Sequence, residues 1–253
     1  MEEKRGKNKA QISIFIIIGI IIILIIVFYF LFRQDIKSLI TPKTPIEQIK
    51  ECARAEVEKA VNIIKNQGGS LNPEFYYLYQ GNKVEYLCYT GESYKTCINQ
   101  KPLLKQSVEQ QIKEYAEPKI IDWMQSVKQD LQGAGYTINY KRPKLNIELI
   151  PSKILLNIQT DLTIKKETTQ QYPNIKADIN SKLYDMLMIA TSITNFEAKY
   201  GDSEIMNYMI YYPNIKVQKK VQGEGTTIYI ISDRESLYTP QENTYASRFM
   251  FAT

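Results

Sequence analysis

The stretch ILLNIQTDLTIK, Ile154 to Lys165, sets Ile154, Leu156, Ile158, Thr160, Leu162 and Ile164 on one side of an extended chain. Asn157, Gln159, Asp161, Thr163 and Lys165 fall on the other. Side chains alternate across a strand, so this pattern describes a sheet with one apolar and one wet face, which is the habit of antiparallel sheets. The neighbouring chain keeps the period. Tyr136, Ile138 and Tyr140 alternate, as do Leu145, Ile147 and Leu149, and Pro151-Ser152 turns the chain into the central stretch. Beyond a polar loop, Lys166 to Gln171, the residues Ile175, Ala177 and Ile179 continue it.

Further strands are expected on both sides. Upstream, Phe75 to Tyr79, Val84 to Tyr89 and Tyr94 to Ile98 read as short strands broken by Asn72-Pro73 and Gly81-Asn82. Downstream, Ile215 to Val221 and Thr227 to Ile231 form a hairpin around Gly223-Glu224-Gly225, and Tyr245 to Phe251 reads as a final strand. Three helical segments complete the pattern. Thr44-Pro45-Ile46-Glu47 is a capping box, and Ile46, Ile49, Ala53, Val57, Ala60, Val61 and Ile64 then recur on one helix face until Gln67-Gly68-Gly69. Pro102 to Leu131 keeps helical spacing, with a kink or break expected near Glu117 because Pro118 removes a backbone donor. Ser181 to Tyr200 is the third, with Gly201 as its cap, and a short helix is expected before Pro213. The fold expected is α+β: an antiparallel sheet built from residues 75–98, 136–180 and 215–252, its apolar face covered by about three helices.

The N-terminal part differs in kind. Ile14 to Phe32 runs nineteen residues without a charge. At about 1.5 Å per residue it covers roughly 29 Å, close to the hydrocarbon thickness of a bilayer. The run is too long for a cleaved secretory signal and ends on Phe30, Leu31 and Phe32 without a small-residue cleavage site. It is read as a retained transmembrane helix. Lys4, Arg5, Lys7 and Lys9 precede it, against Arg33 and Lys37 after it, which places the N-terminus in the cytoplasm. The organisation expected is a basic cytoplasmic leader (1–10), a transmembrane helix (11–33), a linker (34–45) and an extracytoplasmic α+β domain (46–253). The chain would be a single-pass protein of the cell membrane with its C-terminal domain extracellular, and the lipid bilayer would be its first partner.

Composition narrows the chemistry. The chain of 253 residues contains no His, which removes Ser-His-Asp and Cys-His catalysis and every His-containing metal site. The net charge of +5 is small and forms no Lys/Arg cluster, so nucleic acid is not expected as a partner. No residue is assigned a catalytic, cofactor or metal role. A carboxylate pair, a Ser-Lys dyad and an all-oxygen Ca²⁺ site have no recognisable motif. Asp233 and Glu235 beside Arg234 are read as a solvated turn, Ser232 to Ser236, rather than an acid/base or Ca²⁺ site. Gly223-Glu224-Gly225 lacks the spacing of a phosphate loop. The tyrosine clusters Tyr76, Tyr77 and Tyr79, and Tyr208, Tyr211 and Tyr212, suit glycan or peptide binding but fit half-buried sheet faces better. Trp123, the single tryptophan, is read as core. Cys88 and Cys97 flank a hairpin loop compatible with a disulfide; Cys52 paired with either, or no bridge, are the alternatives.

The junction Lys9-Ala10-Gln11-Ile12-Ser13 resembles the class III signal of archaeal type IV pilin-like proteins. The resemblance implies a prepilin peptidase as partner, cutting between Ala10 and Gln11 and leaving the apolar helix on the mature chain. Those proteins usually carry Glu at the fifth mature position, where this chain has Phe15, a departure that weighs against filament assembly. Residues 46–132 are similar to a group of uncharacterised single-span membrane proteins of archaea. The matching pieces are Cys52, Gln67-Gly68-Gly69, the LCYT and CINQ blocks at Leu87 and Cys97, and LLKQ, EQQIKEY and EPKI in the second helix. In that group a fourth cysteine near the position of Trp123 would partner Cys52. Its absence here implies a Cys88–Cys97 bridge with Cys52 unpaired. The function expected is a membrane-anchored cell-surface protein with a non-enzymatic structural or interaction role, meeting a protein or cell-surface partner. The alternatives are a pilin-like filament subunit or minor pilin and, third, an extracytoplasmic carboxylate-dependent hydrolase.

Overall fold

The computed structural model describes residues 18–23, 27, 44–92, 94–234 and 248–253. Two compact units are separated at Thr44, and the second, residues 45–253, holds all the strands described. In chain order its elements are α1 (Pro45–Ile64), β1 (Tyr76–Tyr79), β2 (Asn82–Glu85), β3 (Cys88–Tyr89), β4 (Ile98–Asn99), α2 (Leu104–Gly133), β5 (Thr137–Asn139), β6 (Lys144–Ile150), β7 (Lys153–Lys165), β8 (Thr169–Asn180), α3 (Leu183–Tyr200), α4 (Met206–Tyr211), β9 (Ile215–Val221), β10 (Thr227–Asp233) and β11 (Arg248–Ala252). The α+β class and the antiparallel pairing are as the alternation implied.

The strands form four separate antiparallel groups rather than one sheet. The largest is organised by β7, which pairs β6 and β5 along one side and β8 along the other. Ile154, Leu156, Ile158, Thr160, Leu162 and Ile164 are all buried, as the alternation requires. Thr160 and Asp161 form a bulge where the register with β8 shifts. Thr160 closes it by exchanging hydrogen bonds with Lys141: the Lys141 N–H donates to its carbonyl (2.7 Å) and its hydroxyl donates to the Lys141 carbonyl (3.0 Å). In the second sheet, β9–β10–β11, the strands β10 and β11 are buried on both faces. One face adds Tyr229, Ile231, Phe249 and Phe251 to the main core with α1, α2 and α3. The other holds Ile228, Ile230, Met250 and Ala252, covered by Val84, Tyr77, Tyr79 and Tyr86 of the β1–β2 region. The outer edge of β11 is also used: the Met250 N–H donates to the Lys65 carbonyl and the Leu87 N–H to the Ala252 carbonyl, each at 2.9 Å.

The helix α2 runs unbroken through Pro118, so the expected kink or break near Glu117 is corrected. Pro118 lies on the exposed side, where the carbonyl it leaves without a partner can be solvated. The same helix covers the free edge of β6. The Glu109 carboxylate accepts the Leu149 N–H (2.7 Å) and the Glu117 carboxylate accepts the Leu145 N–H (2.8 Å). Eight helical residues rise about 12 Å and four strand residues about 13 Å, so the two spacings match. Two backbone donors that would otherwise be offered to another chain are thereby occupied.

The transmembrane helix expected over 11–33 is also corrected. Among the described residues no helix is long and apolar enough to cross a membrane. A span needs about 20 consecutive helical residues. The described helical run in this region is residues 18–23, about 9 Å of rise, together with Val27. The long helices α1 and α2 carry charges in nearly every turn, and α3 contains Asp185, Glu197 and Lys199. The single-pass placement in the cell membrane, N-terminus cytoplasmic and C-terminal domain extracellular, falls with that helix. Residues 1–17, 24–26 and 28–43 lie outside the described residues.

Candidate functional site

The Cys88–Cys97 disulfide is present and Cys52 is free. The bridge closes the smallest paired unit of the fold. β3 and β4 pair through only two rungs, Cys88 with Asn99 and Tyr89 with Ile98. So short a hairpin is not stable alone. The cross-link restricts its unfolded chain by about 2 to 3 kcal/mol, and polar contacts fix its position. The Asn99 amide donates to Asn195 of α3 (2.8 Å), and the Gln100 N–H donates to the Leu87 carbonyl (2.8 Å). In the loop, the Glu92 N–H donates to the Thr90 hydroxyl (3.1 Å) and the Lys95 N–H to the Glu92 carbonyl (3.1 Å).

Alternation then decides what faces out. Cys88 is fully buried while Tyr89 and its cross-strand partner Ile98 are exposed, Ile98 to 70%. Phe75 packs its ring against Tyr89 edge-on at 4.4 Å and against Tyr86 at 4.8 Å, and Tyr86 meets Tyr89 at 5.3 Å. The Tyr86 hydroxyl is anchored to Thr226 (2.8 Å). The result is an aromatic face held by a disulfide, a strand pair and mutual ring contacts, with Phe75, Tyr89 and Ile98 open to water. Rigid aromatic side chains lose little freedom on binding, which suits a contact surface.

Two polar clusters have the residue types of a catalytic site. In the first, the Lys101 ammonium donates to Ser70 and to Glu85, each at 2.6 Å, and the Ser70 hydroxyl donates to Glu85 at 2.8 Å. Gly68 permits this approach, since a Cβ there would lie 2.8 Å from that of Glu85. Ser-Lys catalysis requires a neutral amine and an accessible hydroxyl. Here the amine is ion-paired and Ser70 is buried, so the cluster ties the α1–β1 connection to β2 and β4. In the second, the buried Glu197 accepts a very short hydrogen bond from the Tyr229 hydroxyl and a 3.2 Å bond from the Ser203 N–H. Lys219 lies 3.7 Å from Glu197 and pairs closely with Asp202. Burial pushes the Tyr229 hydroxyl far above its ordinary value, and the Glu197 carboxylate adds to the shift. This phenol therefore stays protonated and fastens α3 to β10. Burial, with help from Glu56, raises the Cys52 thiol to about 11, so it is not an activated nucleophile. Among the described residues no group of three or more acidic or cysteine side chains could hold a metal ion.

The residues singled out from sequence are placed as follows. Ala10 and Gln11 lie outside the described residues. Tyr77 and Tyr79 pack on the smaller core, Tyr76 is exposed, and Lys83 sits over its ring at 4.8 Å. Tyr208 packs on the main core, whereas Tyr211 and Tyr212 are exposed. Trp123 packs against the main core, half-buried. Asp233 does not sit in a solvated turn: it ends β10 and is buried, while Glu235 lies outside the described residues. The grouping of Phe75, Tyr86 and Tyr89 was missed. The bonded cysteines do not give it away, since they sit on different rungs: Cys88 faces Asn99 and Tyr89 faces Ile98. Ser70, Glu85 and Lys101 come from three distant segments with no local signature. In comparisons with known proteins, no family model matches the chain, and no curated protein or solved structure is significantly similar to it.

Proposed function

We propose that the unit from residue 45 to 253 is a non-enzymatic interaction module that engages a protein partner through the aromatic face of its disulfide-closed hairpin. The observation that carries this reading is the exposure of Phe75, Tyr89 and Ile98 on a support that the bridge and ring contacts hold still. A protein suits the face better than a sugar. The rings meet edge-on and tilted, so they do not present one flat platform, and Ile98 adds an aliphatic anchor beside them. The charged pair Glu92 and Lys95 supplies a polar rim. The polar cluster around Ser70 supports no rival, because its hydroxyl is enclosed and its lysine is paired.

A photo-crosslinking residue at Tyr94, beside the face, tests this in cells that express the full chain. One discrete protein adduct is expected, lost on Ile98→Asp and absent when the probe replaces Gln159 on the wet side of β7. No adduct, or the same adduct from both positions, overturns the proposal.

A further inference from the structure

The four-stranded sheet has one long edge without a strand beside it. β7 is paired on both sides, and α2 stops the outer side of β6. Among the described residues no strand lies along the outer side of β8. Two hydrogen bonds fix which way its backbone groups point. Just past β8, the Ser181 N–H donates inward to the Ser152 carbonyl (3.0 Å), whereas the Asp178 carbonyl points outward and accepts from Arg54 Nε (3.2 Å). In an antiparallel strand both backbone groups of a residue point to one side, and successive residues point to opposite sides. Asn174, Lys176, Asp178 and Asn180 therefore offer N–H and C=O outward, while Ile175, Ala177 and Ile179 serve β7. The side chains alternate as well. Lys176 and Asp178 are exposed on the wet face; Ile175 and Ala177 are buried and Ile179 is half-buried on the helix side.

The charges on this edge say what fits it. A guarded edge carries like charges. β9, at the edge of the other main sheet, has Lys216, Lys219 and Lys220 and no acid. β8 instead places one base and one acid two residues apart, Lys176 and Asp178. When a second copy lays its β8 antiparallel along this edge, outward residues must meet outward residues, so the strands slide only by two residues at a time. The register centred on Ala177 sets Lys176 opposite Asp178 of the other copy, and Asp178 opposite its Lys176. Sliding one step either way sets Lys176 against itself or Asp178 against itself, which repels. In the favoured register Ala177 meets its own copy at the axis, in a non-hydrogen-bonded pair, where side chains come closest and a small one fits. Ile175 meets Ile179 on the helix side. The Asp178 carbonyl has a second lone pair, so Arg54 does not close it. We infer that this chain forms a two-fold homodimer in which the two β8 edges pair antiparallel about Ala177 and join both sheets into one. Because α2 stops the edge of β6, the pairing ends at two copies. The contact shares no residue with the hairpin face, so either can fail without the other.

Sedimentation equilibrium on the full chain at micromolar concentration tests the pairing. The wild-type chain is expected to be a dimer. Lys176→Asp creates a like-charge pair on both sides of the axis and should raise the dissociation constant about tenfold, with unchanged circular dichroism. Asp178→Lys should act alike, and the two exchanged together should restore the wild-type constant. Both side chains are exposed, so the fold is not at risk. A monomeric wild-type chain, a dimer indifferent to the single reversals, or a double exchange that fails to restore pairing each overturns the inference.

Discussion

The two main sheets of this protein solve burial differently. β7, in the four-stranded sheet, shows buried and wet positions in turn, because helices cover one face and water the other. β10 and β11 are buried at nearly every position, because helices cover one face and the β1–β2 hairpin the other. Alternation therefore records a one-sided sheet, and its loss records a second cover. The cover is the less secure of the two layers, since it consists of two four-residue strands and ring contacts. Its neighbour, the β3–β4 hairpin, is held by the disulfide.

Substitutions followed by urea denaturation weigh the two covers against each other. Phe251→Ala, on the helix side of β11 and fully buried, should cost about 3 to 5 kcal/mol. Ile228→Ala, on the hairpin side, should cost about 2 to 4 kcal/mol. A loss below about 1 kcal/mol would mean that the hairpin side is not a true core. Replacing Cys88 and Cys97 together by Ser should cost about 2 to 3 kcal/mol, and reductant should lower the wild-type midpoint similarly. Lys65 tests the edge of the same sheet. It is buried beside Arg248 with no ion pair among the described residues, and burial first, then Arg248, holds its ammonium below the usual lysine value. A lowered lysine pKa means that the charge costs free energy in the folded state, so Lys65→Met should stabilise by about 0.5 to 1 kcal/mol. Smallest of all, Gln159→Ala on the wet face of β7 should stay within about 0.5 kcal/mol.

The same contrast explains what could be read in advance. β7 was legible because each residue reports its own side, and α1 because a cap, an apolar stripe and Gly68-Gly69 agree. Asp233 was misplaced because polarity was read as exposure, although the residue ends a strand covered on both faces. Pro118 was read as a break because its tolerance depends on which side of α2 meets water, a fact of packing. The apolar run near the N-terminus was read from its length, its lack of charge and its flanks, and all of it but residues 18–23 and 27 lies outside the described residues. The aromatic face depended on a β3–β4 register, Cys88 opposite Asn99, that the spacing of the two cysteines does not give. The paired carboxylates that stop the edge of β6 were invisible for the opposite reason: Glu109 and Glu117 look like an ordinary solvated helix face.

The edge of β11 has a kinetic meaning. Its outer partners, Lys65 and Leu87, come from much earlier in the chain, and Arg248 reaches Asn66 across 182 positions. Such pairings require long loops to close before any contact rewards them, which slows folding. Until they form, a strand rich in Phe and Met has an open side, able to pair with another unfolded chain. Refolding yield should thus depend on concentration more steeply than the stability of the finished fold would suggest.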